Sequence, residues 1–170
     1  MKKTIFLLFL LVSIPAFSQI ALATNMGKLR VGGGVGLGFG NNDYFALSVN
    51  PNIGYMLTPQ LEGGLTLGYQ YSKWANVKSN LFGVGPYLTL YPVEGLFLRS
   101  RYEYFTGNFK IKGSPESVNR DENALWLGGG YGSSGKVAFY AGAEYNVLWK
   151  KEKSMFSNGF RPIVGVSVGF

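Results

Sequence analysis

Past residue 22 the chain contains no apolar run long enough to cross a bilayer as a helix, yet 46% of its residues are hydrophobic. They recur instead at every second position, in segments of about ten residues, the length a tilted strand needs to cross a membrane. A period of two places all of them on one face of a strand. Eight such segments can be read: Lys28–Gly40, Tyr44–Tyr55, Leu61–Tyr71, Leu81–Tyr91, Leu96–Phe105, Ala124–Gly132, Val137–Leu148 and Phe160–Phe170. An even number of strands is what a single-chain bacterial barrel requires.

The two rows of each segment differ in kind. One carries Leu, Val, Phe and Tyr. The other carries Gly, Ser, Asn, Thr and seven charges: Arg30, Glu62, Arg99, Arg101, Glu103, Glu144 and Arg161. A lipocalin-like binder would turn the apolar row inward around a ligand and the charges out to water. A membrane barrel does the reverse, and only a closed barrel or a helix satisfies the backbone in lipid. Outward Leu and Val on several strands would be a large exposed apolar patch in water. The expected fold is therefore an all-β, eight-stranded antiparallel up-and-down transmembrane β-barrel. Inside it, four Arg and three Glu form an expected charge network, because buried charges cost less in pairs than singly.

Connections alternate in length. Leu57–Gln60, Pro92–Gly95 and Ser133–Lys136 are tight turns, whereas Ser72–Asn80, Thr106–Asn123 and Trp149–Gly159 are longer and more charged. Short turns belong on the periplasmic side and long loops outside. Asn41, Asn42 and Asp43 form a short outside loop, and both termini fall in the periplasm. Tyr55, Tyr69, Tyr71, Trp74, Tyr104, Tyr131, Tyr145 and Trp149 sit near segment ends and read as aromatic girdles. Pro51, Pro86 and Pro162 fall inside segments, each removing a ladder donor, and are expected at bulges or near edges. Lys150, Lys151 and Lys153 make the last outside loop basic.

The N-terminus reads as a cleaved signal peptide over residues 1–18: a basic start at Lys2 and Lys3, an apolar stretch from Ile5 to Ile14, and small residues at Ala16 and Ser18. A second site lies at Ala23. Residues 19–27 form a short N-terminal segment, and the barrel occupies 28–170. The net charge of +7 includes the two leader lysines. In an exported chain this favours lipopolysaccharide phosphates over nucleic acid as the anionic partner. Cysteine and histidine are both absent, which removes disulfides, thiol nucleophiles, Ser-His-Asp catalysis and His or thiolate metal sites. Gly130–Lys136 approximates a phosphate-binding loop, but Val137 stands where the chemistry needs a hydroxyl and a strand follows instead of a helix. No catalytic, cofactor-binding or metal-binding residue is expected. A Glu103–Glu144 acid–base pair is the one catalytic alternative, set against a structural network with Arg101 and Arg99.

The last segment, with Val164, Val166, Val168 and a final Phe170, resembles the C-terminal insertion signal of outer-membrane barrels. Together with Gly85–Pro92, Leu96–Tyr104 and Leu127–Tyr131, it is similar to the outer-membrane β-barrel domain family of small OmpA/OmpX-like and PorT-like barrels. That resemblance implies a bacterial outer-membrane protein, recognised by the barrel-assembly machinery, embedded in outer-membrane lipid and lipopolysaccharide, and monomeric. The expected role is non-enzymatic: envelope-structural or surface-interacting. With no peptidoglycan-binding domain after the barrel, it is not expected to tether the wall. Alternatives are a narrow channel, a secretion accessory factor, a lipid-modifying enzyme or a lipocalin-like periplasmic binder.

Overall fold

The computed structural model describes residues 29–40, 44–113 and 117–170. These form eight strands: β1 (Leu29–Gly40), β2 (Tyr44–Thr58), β3 (Leu61–Trp74), β4 (Val77–Val93), β5 (Leu96–Ile111), β6 (Ser117–Gly132), β7 (Val137–Asn146) and β8 (Phe160–Gly169). Each strand pairs antiparallel with its sequence neighbour. β8 returns to β1 from Arg30 opposite Gly169 to Val35 opposite Val164, closing the barrel. Closure leaves no unpaired sheet edge, the condition for a strand assembly to sit in lipid. No helix forms among the described residues.

The faces settle which way the barrel is turned. Outward side chains are apolar: Leu65 is 57% exposed, Leu67 58%, Phe82 59% and Phe139 65%. Inward side chains include Arg30, Glu62, Arg101, Glu103 and Glu144, all buried. Charge inside and hydrocarbon outside is the arrangement of a transmembrane barrel and the inverse of a lipocalin. The binder with an inward apolar row is thereby overturned.

Strand lengths depart from the sequence reading. The expected loop over 106–123 is mostly strand, since β5 runs on to Ile111 and β6 begins at Ser117. The expected loop over 72–80 shrinks to Ala75 and Asn76, because Trp74 already faces Val77 across the ladder. Polar residues masked the continuation: Asn108 pairs with Asn119 through their amides at 2.8 Å, so a strand above the membrane needs no apolar row. β7 instead stops early, at Asn146, where the chain turns away.

Pro51 and Pro86 are not at bulges. Pairing with one neighbour is interrupted at Asn50–Pro51 and at Gly85–Pro86, then resumes in the same register. Their other sides stay paired, with Gly33 and Leu65. The missing N–H thus removes one ladder position without shifting the strand. Pro162 pairs with Ala143, while pairing of β8 to β1 ends at Val164, leaving it near the limit of that seam. The register shifts fall elsewhere, at Met56/Thr58 and Leu90/Val93, beside the short β2–β3 and β4–β5 turns. Gly95, in the β4–β5 turn, and Gly135, in the β6–β7 turn, adopt positive φ, which side chains resist.

Gly130 to Gly132 belong to β6, and a turn over 133–136 leads directly into β7, so the Gly-rich run has no helix behind it. The leader and N-terminal segment expected over residues 1–27, together with Lys28, Asn41, Asn42 and Asp43, lie outside the described residues.

Inward glycines let the narrow barrel close. A Cβ on Gly85 would meet the Tyr102 carbonyl oxygen at 1.8 Å, and backbone cannot rotate aside. Gly85→Ala should therefore force β4 and β5 apart and cost about 1–3 kcal/mol. Urea unfolding in phospholipid vesicles would measure it.

Candidate functional site in the barrel lumen

The lumen is filled at three levels. Nearest the termini, Glu62 on β3 gathers polar groups from β1 and β4. Its carboxylate accepts Tyr87 O–H at 2.5 Å and Tyr91 O–H at 2.7 Å, and pairs with Arg30 at 3.4 Å. Arg30 Nε also donates to Ser167 Oγ at 3.1 Å. Arg99 is held differently. Its Nε donates to Thr89 Oγ1, and its guanidinium lies over the rings of Tyr140, Phe97 and Tyr87 at 4.8, 5.1 and 5.8 Å. It takes part in no ion pair among the described residues, so the expectation that it pairs with a carboxylate is corrected. Aromatic faces stabilise a desolvated cation without a counter-charge.

At mid-barrel, β5, β7 and β8 place two Arg and two Glu in one cluster. Glu144 Oε2 accepts from Arg161 Nη2 at 3.0 Å, from Arg161 Nε at 3.1 Å, and from Arg101 Nη2. Glu103 Oε2 lies 3.5 Å from both Arg101 Nε and Arg161 Nη2. Each carboxylate touches two guanidiniums, and each guanidinium touches both carboxylates. Register explains the grouping: Glu144 sits directly opposite Arg161, while Arg101 and Glu103 are two apart on β5 and share its inner face. Arg161 also stacks on Trp126, 3.7 Å from the ring centre. The partner that sequence order suggested for this pair, Arg99, lies one level below; Arg161 takes its place.

The outer mouth is plugged from above. The chain between β7 and β8 bends inward and inserts Phe156 against Phe105 at 5.0 Å and Trp126 at 5.2 Å, both edge-on. Leu81 and Ala124 complete this cluster, with Met155 and Trp149 packed against it. Glu122 anchors the plug, accepting Ser154 O–H at 2.6 Å and the Met155 N–H. Trp149 Nε1 donates to the Phe156 carbonyl at 2.9 Å. Trp149 is thus part of the plug and not of the girdle. The girdle role suits Tyr55, Tyr69, Tyr104, Tyr131 and Tyr145, which are outward and exposed.

Lys150, Lys151 and Lys153 project from the same loop into solvent. Val164, Val166 and Phe170 are exposed on the outward row of β8, with Val168 half-buried. The Phe170 N–H donates to the Leu29 carbonyl at 2.8 Å, so the last residue is stitched onto β1. Sequence reading missed Phe156. The signal was present as Met155 and Phe156, an apolar pair inside an otherwise polar loop, and two adjacent apolar residues exposed at a loop tip are unfavourable. Tyr87 and Tyr140 already stood on the inward row, without an assigned role.

No protein-family model and no curated protein matches the chain. Among solved structures it is similar to the N-terminal β-barrel domain of Pseudomonas aeruginosa OprF, at 18% identity and a TM-score of 0.49, covering 85% of this chain and 99% of that one. Neisserial surface protein A is similar at 14% identity and 0.49, covering 84% and 96%. The attachment invasion locus protein Ail of Yersinia pestis is similar at 12% identity and 0.49, covering 86% and 99%. At such scores the barrel assignment rests on the strand pairing and the two faces described above.

Proposed function

We propose that this chain is a bacterial outer-membrane barrel that acts without catalysis, as a closed envelope element presenting its outer rim for interaction. The observation that carries this reading is the lumen, occupied at all three levels. A barrel of eight strands has room only for side chains, and here Tyr, Arg, Glu, Trp and Phe take that room in turn. What remains accessible from outside is the rim: the long β3–β4 and β5–β6 hairpins and the loop carrying Lys150, Lys151 and Lys153.

Residence in the outer membrane is supported by the apolar exterior bounded by outward tyrosines and by the export leader expected over residues 1–18. Insertion through the barrel-assembly machinery and a monomeric state belong to the same proposal. A non-catalytic role is supported by the mid-barrel carboxylates, each held by two guanidiniums, and by a chain without His or Cys. Planar-bilayer recording of the purified barrel is expected to show no unitary conductance. Steady ion-conducting steps would replace this reading with the narrow channel. On a detergent gel, the unboiled barrel should migrate apart from the boiled chain.

A further inference from the structure

At the outer rim, cross-strand register lines up three lysines on the outward face, and a fourth, Lys112, follows directly after β5. Lys73 on β3 lies directly opposite Lys78 on β4, and Lys78 lies directly opposite Lys110 on β5. The Lys112 N–H donates to the Asn76 carbonyl at 2.7 Å, tying the end of the β5 hairpin arm to the β3–β4 turn. With Ala75 and Asn76, the four lysines line one concavity of about 320 Å³ that contains no acidic side chain. Among the described residues none of the four takes part in an ion pair; Glu116, between β5 and β6 in the sequence, lies outside them. Like charges directly opposite one another on a sheet destabilise it. Two such pairs in succession, sharing Lys78, leave a surface that gains stability from a bound anion.

The level of this patch points to the kind of anion. The outward row of β3 reads Leu65, Leu67, Tyr69, Tyr71, Lys73, and that of β4 reads Val84, Phe82, Asn80, Lys78. Tyr69 O–H donates to Asn80 Oδ1 at 2.9 Å, marking where the exterior turns from apolar to polar. Lys73 stands two residues beyond Tyr71, about 7 Å along the strand. The headgroup layer is about 5–8 Å deep on each side of the hydrocarbon. Lysine stems can lie along the sheet while their ammonium groups reach into that layer.

We propose that Lys73, Lys78, Lys110 and Lys112 form a seat for a phosphorylated glycolipid headgroup of the outer leaflet, its phosphate held among the ammonium groups and its acyl chains lying against the apolar outward rows of β3 and β4. The proposal rests on the barrel being membrane-embedded. It is separate from Lys150, Lys151 and Lys153, which project from the loop over the mouth.

The test places the protein in phosphatidylcholine nanodiscs containing bisphosphorylated lipid A, dephosphorylated lipid A or phosphatidylglycerol, and counts retained lipid by native mass spectrometry. Wild type should retain the bisphosphorylated lipid at least about tenfold better than K73Q/K78Q/K110Q/K112Q, the equivalent of losing one charge-assisted contact. Retention should fall as salt rises. Lys→Arg at all four positions, and Gln at Lys150, Lys151 and Lys153, should leave retention intact. Equal retention by wild type and the four-Gln variant would overturn the seat. So would equal retention of dephosphorylated lipid A or of phosphatidylglycerol. Failure of the barrel to enter nanodiscs at all, judged by heat-modifiable mobility, would instead overturn the membrane reading. Entry without retention overturns the seat alone.

Discussion

Glu144→Ala is expected to destabilise the barrel by about 3 kcal/mol, toward the low end for breaking a buried ion pair. Glu144 is 1% exposed, and one of its oxygens serves both Arg101 and Arg161. Its removal leaves two guanidiniums facing only Glu103, whose contacts at 3.5 Å are longer. The low end applies because Arg161 borders a cavity that opens to the outer mouth and can recruit water. Urea unfolding in vesicles, followed by tryptophan fluorescence, measures the loss. Adding Arg161→Ala should recover part of it, since Arg101 and Glu103 then remain as a neutral pair. A single variant within about 0.5 kcal/mol of wild type would mean that the cluster only fills space.

The second large effect concerns the plug. Phe156→Ala should cost about 3 kcal/mol, the lower end for truncating a buried Phe, because the void lies near the mouth and can flood. The chain has three tryptophans. With Trp74 replaced by Phe, the remaining two, Trp126 and Trp149, both pack at the plug. Acrylamide quenching of their fluorescence should rise in the Phe156→Ala protein. Conductance should stay absent, because the Arg–Glu cluster still blocks the barrel below. Unchanged quenching would show that the loop closes the mouth without its aromatic ring. The appearance of conductance would assign the seal to Phe156 alone and demote the charge cluster to a minor barrier.

The two effects differ in how far the sequence disclosed them. The seven charges below the plug were legible, because a charge on the row opposite Leu and Val has only the lumen to occupy; Glu122, which holds the plug, was not. Their grouping was not. Which guanidinium reaches which carboxylate depends on stagger between strands distant in sequence: Arg161 meets Glu103 across 58 positions. Arg99, two residues from Arg101 on the same face, belongs to another level, where Tyr140 and Phe97 surround it. Strand ends beyond the hydrocarbon were equally hidden, because period-two alternation reports contact with acyl chains and disappears where both faces meet polar surroundings. That is why 106–123 read as a loop although it is largely hairpin, and why the opposition of Lys73, Lys78 and Lys110 carried no signal along the chain.

The number of strands, their antiparallel order and the direction each row faces were determined by the sequence alone, because alternation with one charged row has a single low-energy solution in lipid. The plug, the pairing of the buried charges and the lysine patch were decided only by the tertiary structure. They arise from register and from a loop folding back, both set by closure of the whole barrel and neither written in any local run of residues.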